Sequence, residues 1–360
     1  MINYIIRRLI MVPFLLFGVT VLIFLMLMAL TPVERTALYV RDVPRNERVL
    51  QGIIKKYGLD KPWYVQYWRW LFGTTVTTTE NGVTTVEHVG GILRGDLGYS
   101  RTASQPVAEL LARRFPASLE LTLYSVVPVI AGGILLGVIG AVKHNKLADH
   151  IVRIFGIVGW SFPDFVFGLL LLMAFYAGTG WFPPGRVSDW ANKIIMSPEF
   201  RNYTSLITID ALLNLRIDIF LDALRHMVLP VITLAYLWWA LTLRVTRSSM
   251  LETLRQDYIT TARAKGLSER TVIRQHALPN ALMPVVTLGG GTVVGLLSGV
   301  VIIETVYNYP GMGAAAARAA SQLDVVTVLA FVLFNGLILV LANVVVDILY
   351  AYVDPRVRLD

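Results

Sequence analysis

There is no cysteine among these 360 residues, which excludes disulfides, thiol nucleophiles and cysteine-ligated zinc or iron–sulfur centres. Charge is scarce too: 16% of residues are Asp, Glu, Lys or Arg, 55% are hydrophobic, and mean hydropathy is +0.62. A soluble domain of this size does not carry that balance, whereas a chain whose solvent is lipid does. No G-x-x-x-x-G-K-[ST] phosphate loop occurs, so no segment is built to cradle a nucleotide with backbone amides and a lysine. The five histidines, His88, His144, His150, His226 and His276, are not spaced as metal ligands. Paired carboxylates and a serine–histidine arrangement are missing from the apolar stretches, which leaves a membrane-embedded enzyme without support. The net charge of +8 on so apolar a chain marks cytoplasmic loops, not a nucleic-acid surface.

What the chain does have is long apolar runs. Crossing a hydrocarbon core of roughly 30 Å takes about 20 helical residues. Six runs approach or exceed that length: residues 9–30, 121–142, 154–177, 227–243, 281–303 and 325–346. The expected fold is therefore all-α and polytopic, with about six transmembrane helices. The fourth run is the shortest and has Pro230 near its start. Arg7 and Arg8 precede the first run as in a signal peptide, but the run is too long for a signal core. Thr31 and Pro32 follow it in place of a small-x-small cleavage site, which favours an uncleaved span.

Lys and Arg in the short loops set the expected orientation. Arg7 and Arg8, then Lys143, Lys146 and Arg153, then the dense group from Arg244 to Arg274, then Arg356 and Arg358 fall on one side. The last loop on the other side holds only Arg318, and the bases of the loop before the fourth run are offset by Asp189, Glu199, Asp210, Asp218 and Asp222. Both termini are thus expected in the cytoplasm. The organisation that follows is an N-terminus and first span (1–30), an extracytoplasmic region (31–118), a core of five spans (119–350) with a cytoplasmic loop (244–280), and a cytoplasmic tail (351–360). Residues 74–89 read TTVTTTENGVTTVEHV. Asn81 and Gly82 suit a tight hairpin turn that pairs Glu80 with Val83 and Thr77 with Val86; a flexible polar loop is the other reading. Gly133 with Gly137, and Gly291 with Gly295 and Gly299, recur every fourth residue, which predicts close helix packing.

The loop from Arg244 to Asn280 carries the most information. Tyr258, Thr261, Ala262 and Lys265 fall at helical spacing, Gly266 can take the left-handed angles that end a helix, and Arg263 and Lys265 sit favourably at its carboxyl end. Ser268 can cap a second helix with Glu269 in its first turn, and Pro279 is expected to end it. A short helix across the ends of two spans suits a groove in a cytoplasmic partner, small Ala262 and Ala264 allowing close approach. A basic loop lying on lipid headgroups fits the same spacing.

The run from Asp257 through Tyr258, Ile259, Thr260, Thr261, Ala262, Arg263, Ala264, Lys265, Gly266 and Leu267, followed by His276, Pro279 and Asn280, resembles the ATPase-docking loop of binding-protein-dependent ABC importer permeases. The likeness is strongest to the oligopeptide, dipeptide and nickel permeases, in their first-permease branch. It extends to Gly58-Leu59-Asp60 with Gln66 and Tyr67, to the stretch from Gly95 to Ser100, and to Pro106-Val107 with Glu109-Leu110-Leu111. It continues through Arg114, Pro116, Leu119-Glu120-Leu121, His226, Pro230 and the stretch from Arg247 to Met250. It closes on Glu304-Thr305, the stretch from Pro310 to Gly313, Asn343, Asp347, Tyr350 and the stretch from Asp354 to Arg356. Three features depart from that family: Thr261-Ala262-Arg263 stands where the general motif has an acid and two alanines, Thr31-Pro32-Val33 follows Leu30 in place of the usual proline-glycine-aspartate-proline turn, and residues 74–92 look like an insertion.

The resemblance implies a type I ABC importer permease fold in the cell's inner membrane. It implies a second homologous permease subunit, two cytoplasmic ATPase subunits or domains that hold the ATP and magnesium, and an extracytoplasmic substrate-binding protein. Peptides are the first substrate it implies, with oligosaccharides and nickel complexes as alternatives. An ion-gradient-driven transporter is the rival class, although it would show more membrane-embedded ionisable groups. Asp164 is the one acid well inside a proposed span, just after Pro163. It is a candidate for the substrate path or for a structural contact to another helix. Glu304, at the outer end of the fifth span, reads as a helix-end or gate contact more than a ligand.

Overall fold

The computed structural model describes residues 2–40, 46–80, 83–297 and 300–353. The proposed turn residues Asn81 and Gly82, Gly299, and the tail from residue 354 on lie outside them. In chain order the principal helices are α1 (Ile2–Met28), α2 (Glu47–Tyr57), α3 (Trp63–Phe72), α4 (Val107–Val142), α5 (Leu147–Ser161) and α6 (Asp164–Leu172). After these come α7 (Ile217–Thr253), α8 (Asp257–Ala264), α9 (Glu269–Ala281), α10 (Met283–Leu297), α11 (Val301–Val306), α12 (Met312–Ser321) and α13 (Val325–Val353). Among the described residues four helices are long and apolar enough to cross a membrane, or six spans result if each of two bent helix pairs is counted as one.

The chain forms two compact units, one of residues 116–314 with the two chain ends and one of residues 6–115 and 315–341. In the second, the C-terminal part of α1 packs Ile23, Phe24 and Leu27 against Tyr67, Trp70 and Leu71 of α3. Strand β1 (Thr74–Glu80) pairs antiparallel with β2 (Val83–Val89), with Glu80 opposite Val83 and Thr77 opposite Val86, the register expected from the sequence. Asp324 joins Ser100 and Thr102 to the start of α13, accepting from Ser100 Oγ at 2.9 Å and from the Thr102 amide at 3.0 Å.

The first unit has its core where Leu121 and Val129 of α4 meet Met227, Leu229 and Leu234 of α7 and Leu296 of α10. The glycine spacing on α4 matters here. A Cβ on Gly133 would fall 2.6 Å from Thr242 Cβ, and one on Gly137 would fall 2.5 Å from Thr246 Cβ, so only glycine lets the α4 and α7 backbones approach this closely.

Several limits differ from the expected ones. The second span continues a helix that starts at Val107, within the region expected to be a folded outer element, and Pro116 and Pro128 lie inside it. The fourth belongs to a 37-residue helix with Pro230 in its interior. In lipid, side chains and neighbouring helices can satisfy carbonyls that a proline leaves free, so a proline does not have to end a span. The third run is not one straight span, since α5 and the helix opened by Asp164 meet at 105°. Phe162 is extended there (φ −86°, ψ 127°), as expected for a residue before proline. The fifth run is divided as well, with α9 entering α10 at 56° and α11 separate from both.

Candidate functional site

The loop after α7 is a small folded element. Thr253 ends α7, Asp257 opens α8 with an acid in its first turn, and the chain breaks at Gly266, whose φ is +77°. Such an angle costs a side chain-bearing residue about 1–2 kcal/mol. At the break the Gly266 amide donates to the Arg263 carbonyl at 2.9 Å and the Lys265 amide to the Thr261 carbonyl at 3.1 Å. Ser268 then caps α9, its Oγ accepting from the Thr271 amide at 3.3 Å. Arg263 bridges the break to Glu269 through two hydrogen bonds, 3.1 Å from Nε and 2.7 Å from Nη2. Both side chains of that pair are about half exposed, so it holds the angle between the helices more than it stabilises the fold.

Pro279 does not end the second helix. Residues Val272–Ala277 widen into a π-turn in which the Leu278 amide reaches the Ile273 carbonyl, and Pro279 sits in the first turn of the helical segment that follows, where its missing amide costs nothing. The Asn280 side chain donates to the His276 carbonyl at 2.8 Å. The helix instead turns near Pro284, where α9 meets α10.

The two faces of α8 do different things. Ile259 and Ala262 are buried with Met250, Val272, Ala277, Ala281 and Ala141 in one apolar cluster. Tyr258 and Leu267 remain 43% and 40% exposed, with Thr261, Ala264 and Lys265 exposed beside them. Ala262 therefore packs on its own chain and is not offered outward as expected; the small side chain lets α8 lie close on the ends of α4, α7 and α9. His276 is half-buried, and Pro279 and Asn280 are exposed.

The two acids considered for the substrate path lie apart from this element. Asp164 is half-buried at the first residue of α6, just after the 105° bend, an acid in the first turn of its helix. Glu304 is fully buried. Its Oε1 accepts from Ser118 Oγ at 2.5 Å and its Oε2 from the Ala314 amide at 2.9 Å, while Ser118 Oγ itself accepts from the Met312 amide at 2.8 Å. Gly311 leaves no room for a Cβ against that carboxylate. The Tyr307 hydroxyl donates to the Gly168 carbonyl at 3.2 Å and so holds the segment after Glu304 against α6.

Residues 133–359 match the family described as binding-protein-dependent transport system inner membrane component, and residues 1–122 match its N-terminal companion. The chain belongs to this family. Among curated relatives of the permease, the di/tripeptide transport system permease protein DppB of Pseudomonas aeruginosa is 37% identical over 358 residues, covering 99% of each chain. The probable D,D-dipeptide transport system permease protein DdpB of Escherichia coli K12 is 37% identical, covering 87% of this chain and 85% of that one. The oligopeptide transport system permease protein AppB of Bacillus subtilis is 34% identical, covering 99% of each. A chain of the inward-facing MetNI methionine ABC transporter superposes over 69% of the permease and 95% of its own length, at 17% identity and a TM-score of 0.45, a likeness too loose to place any residue.

Two residues of the permease that matter to the loop escape the sequence pattern. Ile259 is the side chain that seats α8, yet a lone isoleucine among polar residues carries no signal. Asp149 ties α5 to the end of α7 through Arg247; the signal present, an acid among Lys143, Lys146 and Arg153, names no partner.

Proposed function

We propose that this permease forms half of the translocation path of an ATP-driven importer of di- or oligopeptides, and that residues 257–280 dock a cytoplasmic ATPase subunit. The observation that carries the docking reading is the two-faced α8. Ile259 and Ala262 anchor it from beneath, leaving Tyr258, Thr261, Lys265 and Leu267 outward on an element whose angle is set at Gly266. An exposed aromatic and an exposed leucine flanking a short helix that is anchored from beneath suit a groove in a protein partner. The peptide substrate is inferred from relatives named for peptides over nearly the whole chain.

In this reading both termini are cytoplasmic, a second related permease completes the path, and an extracytoplasmic binding protein delivers the peptide. Hydrolysis of magnesium-bound ATP takes place on two partner subunits, and the chain itself is neither an enzyme nor a cofactor binder. ATP-driven movement of α8 reaches the spans because α7 and α10 flank the loop and move with it as rigid bodies. Asp164 faces the path and pairs with a peptide amino terminus, while Glu304 clamps the outer end of the path as a structural carboxylate.

The test is to replace Tyr258 and Leu267 together with Ser, leaving the buried face intact, and purify the permease with its partners. ATPase recovery and peptide uptake should both fall while span insertion is unchanged. If the variant retains the ATPase and transports normally, the docking reading fails. Uptake driven by an ion gradient without any ATPase would favour a secondary transporter instead.

A further inference from the structure

Helix α3 is built inside out for a water-soluble surface. Its polar Gln66 is buried, with the amide donating to the carbonyls of Leu59 (3.0 Å) and Lys61 (2.6 Å) and the side-chain oxygen accepting from Arg35. Its one charged residue, Arg69, is half-buried and lies against Gly58. The outward face is aromatic: Trp63, Tyr64, Trp68 and Phe72 are 58%, 59%, 61% and 41% exposed. Tyr64, Trp68 and Phe72 recur every fourth residue and so line one side of the helix, and the Trp68 and Phe72 rings lie 4.6 Å apart. Leu93, on the turn Ile92–Arg94, is 65% exposed.

The position of α3 along α1 says what covers this face. Tyr67 Oη is 2.9 Å from Thr20 Oγ1, and the Tyr67 ring packs on Phe17 and Phe24. Thr20 lies about 12 Å of helix before Met28, the end of the apolar segment Leu9–Met28. Helix α3 therefore runs beside the span and not beyond its end. On α1 itself Leu22, Leu25 and Met26 are each more than half exposed as well.

We propose that α3 is an interfacial helix, with Trp63, Tyr64, Trp68 and Phe72 set into phospholipid at the boundary of headgroups and acyl chains, in the leaflet reached by the C-terminal end of α1. Tryptophan and tyrosine favour that boundary because an apolar ring meets the chains while the indole N–H or phenol stays hydrated. By anchoring α3, lipid fixes the whole segment from α2 to β2 on the membrane surface. This inference needs only the membrane assignment and stands whether or not α8 docks an ATPase.

The chain lacks cysteine, so single labels can be placed without a background. Trp68→Cys and Tyr64→Cys, with Leu22→Cys as a lipid-facing control and Gln51→Cys on α2 as an aqueous one, are labelled with a nitroxide in the full permease, purified with its partner subunits into phospholipid nanodiscs. Collision with oxygen is compared with collision with a water-soluble nickel chelate. The oxygen-to-nickel ratio at 64 and 68 should lie several-fold above that at 51 and approach that at 22. A ratio matching position 51 would place the face in water. Protection from both reagents would mean a protein, the second permease or the binding protein, covers it. Either result at both positions overturns the proposal.

Discussion

The Asp149 carboxylate and the Arg247 guanidinium meet side-on, Nε to Oδ1 at 2.7 Å and Nη2 to Oδ2 at 2.8 Å, with Asp149 wholly buried. The Asn145 amide donates to the same carboxylate at 3.0 Å, so the pair fastens the turn before α5 to α7 just ahead of the loop that carries α8. Arg247→Ala removes both guanidinium bonds and leaves the buried carboxylate the Asn145 amide with His144 and Arg153 at 3.5 and 3.9 Å, and should cost about 1.5–3 kcal/mol. Arg247→Lys should recover only part of this, because one ammonium cannot make both bonds. Thermal unfolding of the purified permease in detergent measures both; equal stability of all three proteins would show that the pair does not hold the fold.

At Gly266 the φ of +77° is the constraint, since a Cβ there would meet nothing within 4 Å. Gly266→Val should therefore strain the break and weaken ATPase association and coupled uptake. Gly266→Asn should keep most of both, because asparagine tolerates left-handed angles. Co-purified ATPase and peptide uptake are the readouts, and loss of function in both variants alike would point to side-chain bulk instead of backbone angle.

Gly137 tests the opposite constraint. A Cβ there would collide with Thr246 and with the Leu243 carbonyl, whereas one on Gly291 would meet nothing within 4 Å. Gly137→Ala should lower stability by about 1–3 kcal/mol, the range for overpacking, and Gly291→Ala should be near neutral. Melting temperatures by fluorescence-detected chromatography separate the two.

Asp324 contributes a pH dependence to stability. Burial alone would raise its pKa, but donors from Thr102, Thr327 and Ser100 outweigh burial and hold it below the ordinary value of 3.8. As pH falls the unfolded carboxyl takes a proton first. The contribution is therefore complete above the unfolded pKa and is lost as pH drops through the lower folded one. Asp324→Asn should melt below wild type by a constant margin from neutral pH to about pH 5, with the gap closing as pH falls below about 4. A margin that does not change on acidification would exclude a charge effect.

Asp164→Asn is expected to reduce peptide uptake more than folded yield, because a carboxylate retained at a bend inside a span has a cavity or a cation to meet. Uptake per folded molecule is the measurement. Reduced yield with normal uptake would make the residue structural, serving the N-terminus of α6.

The sequence by itself determined the solvent, the number of apolar runs, the hairpin register and the break at Gly266. Each rests on a local property: segment length, turn chemistry or a residue's permitted angles, none of which needs a distant partner. Helix ends in lipid were less legible. Pro230, near the start of the fourth run, lies within a helix, as do Pro116 and Pro128, whereas Pro163 does break its span because the extended Phe162 before it turns the chain. Only the tertiary structure decided that Ile259 and Ala262 face inward while Tyr258 and Leu267 face out, and that Asp149 belongs to Arg247. It also decided that α3 packs Tyr67 and Trp70 on α1 and leaves Tyr64, Trp68 and Phe72 exposed. Those facts are pairings between segments far apart in the chain, and a one-dimensional pattern records what each residue is but not what it meets.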